Sequence, residues 1–239
     1  MNLKEQLQEA IAYCNTKLAS KGVTEPATSV VDIGDKIESI QGGDTGVGSR
    51  QWWEDVLTSK KNLDYLFQGT NIETTPIIDC SNVTSIKYMC DSCPNLTSVN
   101  LKNTQNIVYY NYAFANNPKL VEAPEIDTSG CQQFNGAYLN DKNLKSIHLI
   151  DGSNIKSFSS AFSNCPNLVD IRFVKGSIHA TIAFYQSQML SAESVQSIID
   201  GLADLTGQAS QTLSLHALVK ENLTDEQIAQ ITSKNWTLA

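Results

Sequence analysis

The chain contains the stretch Ser160-Ala161-Phe162-Ser163-Asn164-Cys165-Pro166-Asn167-Leu168, and near copies of it occur earlier in the sequence. These copies occupy residues 88–96, 112–120 and 136–144. The third residues of these four stretches are spaced 24 residues apart: Cys90, Phe114, Tyr138 and Phe162. Phe67 lies one step further back, short by a single residue, and one step later the pattern decays at Gln186. Self-similarity at a period of about 20 to 50 residues is the signature of a repeat protein.

Each 24-residue unit repeats its apolar positions as well as its aromatic one. Two sets of equivalent positions illustrate this: Leu96, Leu120, Leu144 and Leu168, and Val99, Ala123, Ile147 and Ile171. The segment that holds them ends in the two-residue alternation of a short strand, and the remainder of each unit is rich in the turn formers Asn, Ser, Asp and Pro. Because one unit cannot bury its own apolar face, we expect successive units to stack into a continuous core.

Four of the six cysteines occupy equivalent positions of the repeat: Cys90, Cys93, Cys131 and Cys165. The pair Cys90-x-x-Cys93 is compatible with a zinc or redox site, but the three histidines are scattered singly along the chain. Cys90 occupies the aromatic position of its unit, and Cys131 is equivalent to two isoleucines. A free cysteine packs as a small hydrophobe. The interpretation as core residues is therefore favoured over a metal or redox site, and the sequence suggests no metal or other cofactor.

Leu144-x-x-Ile147-x-Leu149, followed by Ala161-Phe162-x-x-Cys165-x-x-Leu168, resembles the BspA-like class of bacterial leucine-rich repeats. The likeness extends over about residues 50–215. It implies an α/β repeat fold, a curved right-handed leucine-rich-repeat solenoid with a sheet of strands on one side and turns on the other. It implies no chemistry, because a fold does not carry a function.

The two ends of the chain predict additional elements. Residues 1–41 are predicted to form a helical hairpin, residues 42–49 a Gly-rich linker, and residues 50–239 the solenoid with its capping segments. Four apolar residues on one face of the first helix are candidates for docking or oligomerisation: Leu3, Leu7, Ile11 and Leu18. Near the C-terminus we expect a helix over 191–204, a strand over 212–215 and a helix opened by a capping box at Thr224.

The hairpin has a resemblance of its own. Leu18-Ala-Ser-Lys-Gly-Val-Thr24 and Val31-Asp-Ile-Gly-Asp-Lys-Ile-Glu-Ser-Ile40 are similar to segments of tail and baseplate-associated proteins of phages and prophages. The closing segment from Leu190 to Ala239 is similar to that of leucine-rich proteins in the same phages and in gut bacteria. These resemblances imply a virion protein that attaches to the particle through its hairpin.

Net charge and hydropathy argue against a nucleic-acid-binding protein and against a membrane-spanning one. With 17 Lys and Arg against 25 Asp and Glu, the net charge is −8, which argues against a nucleic-acid partner because no basic stripe exists. No apolar run has membrane-spanning length, so membrane insertion is not expected. The first residues lack the apolar core of a secretion signal.

The motif content of the sequence favours binding over catalysis. No phosphate-binding loop, nucleophile elbow or zinc-protease motif occurs in the sequence. Asp79, Asp127 and Asp151 recur near equivalent turn positions, where a carboxylate usually binds backbone amides, and a catalytic role is the alternative.

Four tyrosines are the best candidates for a binding surface. Three of them occupy the position two residues before the aromatic one, which predicts a column of rings about 4.8 Å apart: Tyr65, Tyr88 and Tyr112. Tyr109 is predicted to lie beside this column. Aromatic rings beside Asn and Ser suit recognition of a sugar or a protein, and packing along the flank is the alternative.

The function expected from these features is that of a phage virion structural protein. It would be a tail, baseplate or fibre component, assembled in the cytoplasm of a bacterial host, that binds a glycan or protein of the bacterial surface through its solenoid. Its other partners would be virion proteins and further copies of itself, a trimer being one form. The alternatives are a capsid decoration protein of the same phage and a bacterial cell-surface adhesin.

Overall fold

The computed structural model describes residues 61–239. The predicted hairpin over 1–41, the linker over 42–49 and the four docking residues Leu3, Leu7, Ile11 and Leu18 lie outside the described residues.

All strand pairing in the described part of the chain is parallel, and most of it joins segments 23 or 24 residues apart. β1 (Ile78–Asp79) pairs with β2 (Leu101–Lys102), and β3 (Ser146–Ile150) pairs with β4 (Asp170–Phe173). A three-stranded sheet closes the described chain with strands in the order β5 (Ile182–Phe184), β6 (Gln211–Leu215) and β7 (Trp236–Leu238). Equivalent positions of successive units therefore lie next to one another.

A second series of backbone hydrogen bonds joins the turn segments of neighbouring units. The N–H groups of Tyr65, Tyr88, Tyr112 and Gly136 each donate to a carbonyl of the following unit at 2.9 Å. Each of five units holds two residues with left-handed φ, four residues apart: Tyr65 and Gly69, Tyr88 and Ser92, Tyr112 and Asn116, Gly136 and Asn140, and Ser160 and Asn164. Glycine and asparagine tolerate this conformation well, whereas tyrosine and serine adopt it at a cost.

The core follows the predicted equivalent positions. The four leucines Leu96, Leu120, Leu144 and Leu168 are fully buried. A buried aromatic column runs from Phe114 to Tyr138 and Phe162, with ring centroids 5.4 and 6.4 Å apart.

The aromatic column continues one unit further than predicted. Phe184 stacks on Phe162 with ring centroids 4.9 Å apart, so the step here is 22 residues and not 24. The expectation that the pattern decays at Gln186 is therefore wrong, because the fixed step placed the aromatic position two residues too late.

The five cysteines in the described part of the chain are free and buried, as the interpretation as core residues predicts: Cys80, Cys90, Cys93, Cys131 and Cys165. Burial raises the pKa of the Cys80 and Cys131 thiols to about 12. Within residues 61–239 no group of three or more His, Cys, Asp and Glu side chains is arranged to hold a metal ion.

The C-terminal helices confirm two of the predicted starts and correct one end. α1 (Ala192–Gly201) begins after Ser191, and α3 (Asp225–Ser233) begins with the predicted capping box of Thr224 and Gln227. α1 ends at Gly201 and not at residue 204, because Leu202 turns to extended geometry and pairs with Ile178. A further short helix, α2 (Ala217–Glu221), follows β6. None of the helices within residues 61–239 has the length and apolarity to span a bilayer.

Candidate binding surface

The predicted tyrosine column, defined as Tyr65, Tyr88 and Tyr112, is present. The ring centroids of Tyr65 and Tyr88 lie 5.1 Å apart and those of Tyr88 and Tyr112 lie 4.9 Å apart, with interplanar angles of 5° and 7°. Each ring lies one unit from the next because the backbone N–H of each tyrosine bonds to the following unit. The spacing matches the distance between neighbouring strands.

Most ring faces of the column are covered by other residues of the chain. Tyr88 is stacked between the other two rings. The far face of Tyr112 lies against Gly136, since a Cβ added there would lie 2.4 Å from the Cε1 atom of Tyr112. Within residues 61–239, Tyr65 is the last ring of the column, and it is 43% exposed. A flat ligand can therefore stack at Tyr65, while Tyr88 and Tyr112 offer only their edges and hydroxyl groups.

Tyr109 lies beside the column and does not belong to it. It is half-buried, it bridges in parallel to Ser85 and Gln133, and the Nζ atom of Lys87 lies 4.4 Å from its ring centroid. A cation over an aromatic ring is favourable. The structure thus stacks three of the four candidate tyrosines and gives Tyr109 a different partner, Lys87.

A chain of side-chain amides, which sequence reasoning missed, runs along the left-handed positions of successive units. Asn116 donates to Asp91 at 2.7 Å, Asn140 donates to Asn116 at 2.8 Å and Asn164 donates to Asn140 at 2.9 Å. Gln68 donates to Asp91 at the start, and Gln186 accepts from the backbone N–H of Asn164 at the end. We call this series the asparagine ladder. Its signal in the sequence is that Asn116, Asn140 and Asn164 recur at a step of 24.

A second polar series is buried beside the asparagine ladder. The backbone N–H of Cys93 donates to Asn117 at 3.0 Å, and the backbone N–H of Asn117 donates to the Oδ1 atom of Asp141 at 2.7 Å. Asp141 has no exposed surface and its Oδ2 atom has no hydrogen-bond partner in the described part of the chain. Burial raises the pKa of the Asp141 carboxyl well above its ordinary value.

The three recurrent aspartates serve turns, as the sequence favoured. The backbone N–H groups of Ser81, Ser129 and Ser153 donate to Asp79, Asp127 and Asp151 at 3.0, 2.9 and 2.9 Å. Hydrogen bonds from Asn103 and Ser81 hold the pKa of Asp79 far below its usual range. These carboxylates are acceptors for backbone and side-chain donors, which fixes the turns between units.

The pKa shifts of the buried thiols and phenols bear on whether these groups could act as nucleophiles. The buried thiols and the phenols of Tyr110 and Tyr138 have pKa values raised mainly by desolvation. A raised pKa keeps a thiol or phenol protonated at neutral pH, and the protonated form is the poorer nucleophile. These groups are suited to packing.

Comparison of the chain with protein-family models, with curated proteins and with solved structures finds no match.

Proposed function

We propose that the chain is a leucine-rich-repeat solenoid that acts by binding, as a structural protein of a phage virion. Its place would be the tail, the baseplate or a fibre, and its target a glycan or protein of the bacterial surface. The parallel pairing of segments 23 or 24 residues apart supports the repeat fold. The sequence likeness of the N-terminal hairpin to phage tail and baseplate proteins supports the setting.

The observation that carries the binding role is the tyrosine column on the flank of the units. Its three residues adopt left-handed φ values of 55° to 64°, a conformation that favours glycine or asparagine. Two later units hold Gly136 and Ser160 at the equivalent position, so the fold does not require tyrosine there. Tyrosine rings are favoured in recognition surfaces because they supply rigid contact area with a polar tip.

The geometry of the column restricts where a receptor would bind. The open end at Tyr65 suits stacking of a sugar ring or a peptide aromatic ring, and the hydroxyl groups of Tyr88 and Tyr112 suit hydrogen bonds beside it. Contact at Tyr65 would then contribute about 0.5 to 1.5 kcal/mol, as aromatic pairs do. Loss of this ring is expected to weaken binding about two- to twelvefold.

Binding of the fluorescently labelled full chain to host cells, with Tyr65→Asn and a control at Tyr185, tests this role. Asparagine accepts the left-handed φ of residue 65, so the variant removes the ring with little backbone cost. Tyr185 is 51% exposed and lies outside the column, which makes Tyr185→Asn the matched control. Weaker binding of Tyr65→Asn alone supports the proposal, and equal binding of both variants and the natural chain contradicts a role for the column.

Immunogold electron microscopy of lysate from the source culture tests the setting. Gold at tail tips or baseplates supports the proposed place in the virion. Gold over capsids would make the chain a decoration protein, and gold on cell envelopes beside bare particles would make it an adhesin. Either of the last two results contradicts the tail assignment.

A further inference from the structure

A groove of about 670 Å³ lies between β2 and β3, away from the tyrosine column. We call it the β2–β3 groove. Its apolar lining includes Leu101 and Val174, both half-buried, and Leu149, which is 54% exposed. The volume falls within the range of about 300 to 1,000 Å³ that ligand sites occupy.

The groove lies where the strand pairing between units is interrupted. Among the strands, β2 pairs with β1 and β3 with β4, and residues 123–127 between them form no strand. A single parallel bridge, from Glu122 to Ser146, joins the start of this segment to β3. Pro124 has no N–H to donate. The backbone N–H groups of Glu125 and Ile126, two residues that line the groove, donate to no partner within residues 61–239. The floor of the groove therefore carries main-chain donors that a ligand can use.

A β-bulge shapes the opposite wall of the groove. The pairing of β3 with β4 shifts by one residue between Ile147 and Leu149, so His148 is the additional residue. His148 and Leu149 are consequently both exposed, whereas neighbouring side chains of a regular strand point to opposite faces. Bulges of this kind re-aim side chains and are frequent beside functional sites.

The charges that line the groove select the type of ligand. Glu125, Asp127 and Asp151 supply three carboxylates, and the lysine in the lining, Lys102, lies 3.4 Å from Asp79 outside it. Within residues 61–239 none of these three carboxylates forms an ion pair. An occupant with a positive charge and an apolar part would complement both the carboxylates and the apolar lining.

We propose that the β2–β3 groove binds an extended peptide segment of a partner protein, one with alternating basic and apolar residues. Its main chain would accept hydrogen bonds from Glu125 and Ile126, its apolar side chains would contact Leu149, and its basic side chains would face the carboxylates. Main-chain hydrogen bonds give such complexes affinity, and side-chain contacts give them specificity. The site is independent of the tyrosine column.

Titration of the ¹⁵N-labelled full chain with the capped pentapeptide Lys-Val-Lys-Val-Lys tests this site. We expect saturable shifts of the amide signals of Glu125 and Ile126 and of residues around His148, with the signals of the tyrosine column unchanged. The peptide Glu-Val-Glu-Val-Glu is the charge control and is expected to cause no shifts. Equal binding of the two peptides, shifts confined to other surfaces, or no saturable shift would overturn the proposal.

Matched variants locate the site more sharply. Leu149→Lys places a positive charge in the groove and is expected to weaken binding at least about tenfold, whereas Ile77→Lys changes a residue that is 67% exposed and lies outside the groove lining. Glu125→Lys is expected to weaken peptide binding as Leu149→Lys does. Glu122→Lys changes an exposed residue outside the lining, so it and Ile77→Lys are expected to leave peptide binding unchanged. Unchanged affinity in Leu149→Lys would refute the groove. The Tyr65→Asn variant is expected to bind this peptide normally, which separates failure here from failure of the column.

Discussion

Replacement of Gly136 by alanine tests how the tyrosine column is supported. Gly136 has φ +60° and is buried under the ring of Tyr112, and an added Cβ would lie 2.4, 2.6 and 3.0 Å from the Cε1, Cδ1 and Cζ atoms of that ring. Alanine therefore meets two costs, the left-handed backbone and the collision with Tyr112. The ring can move away only by leaving its stack on Tyr88.

The two costs can be separated with a second glycine. Gly176 has φ +69° and no atom within 4 Å of an added Cβ, so Gly176→Ala bears the backbone cost alone, about 1 to 2 kcal/mol. Gly136→Ala adds an overpacking cost of about 1 to 3 kcal/mol. We expect its free energy of unfolding to fall below that of Gly176→Ala by this second amount.

Urea unfolding of both variants measures the difference, with equal m-values as the condition for comparison. A further variant, Gly136→Ala combined with Tyr112→Ser, removes the ring, and Ser160 indicates that serine is accepted at this equivalent position. In that background the added cost of Gly136→Ala should shrink to the backbone cost alone. The interpretation is wrong if Gly136→Ala and Gly176→Ala differ by less than about 0.5 kcal/mol.

Three further predictions concern the buried and polar series. The pKa of Asp141 is raised in the fold, so its charged form opposes folding. Relative to Asp141→Asn, the natural chain should therefore lose stability as the pH rises above the ordinary carboxyl pKa of 3.8, and parallel pH profiles from urea unfolding would contradict this. Asn140→Gly keeps the left-handed φ but removes two hydrogen bonds of the asparagine ladder, and it should lower the free energy of unfolding by about 1 to 3 kcal/mol. Asn140→Ala should lower it by about 1 to 2 kcal/mol more, because alanine adopts the left-handed φ at a cost. Equal stabilities of the two variants would refute this cost of the backbone conformation. The five buried thiols should resist a thiol reagent in the native chain and react with it in denaturant, which peptide mapping would reveal. Fast labelling of Cys90 in the native chain would contradict its burial.

Much of the described fold is predictable because the periodicity acts on every position in the same way. The step of 24 aligned the buried leucines, placed Cys90 in the core and put the tyrosines in one column. It failed where one unit departs from the others. Phe184 stacks on Phe162 after only 22 residues, and such a shortening is invisible until the pairing of the units is known.

Features that depend on three-dimensional contacts were harder to predict. The step of 24 places Gly136 next to Tyr112, at the equivalent position of the following unit, but it does not show how closely the ring approaches this glycine, because that distance depends on the side-chain orientation. The bulge at His148 and the unpaired amides of Glu125 and Ile126 define the β2–β3 groove. Both features depend on strand register, which hydrophobic alternation alone does not fix inside a bulged strand.

The two proposed sites are supported by the same kind of departure from regularity. In an array of equivalent units, a residue type that successive units share serves stacking of the units, as the buried leucines Leu96, Leu120, Leu144 and Leu168 do. A residue type that only some units hold is free of that constraint. Tyrosine occupies left-handed positions in three units, although glycine or serine serves in two others. The sheet is interrupted at the segment that contains Pro124, although β1 pairs with β2 before it and β3 pairs with β4 after it. Such positions carry a local cost that stacking of the units does not require, and binding of a partner is the function that would compensate for it.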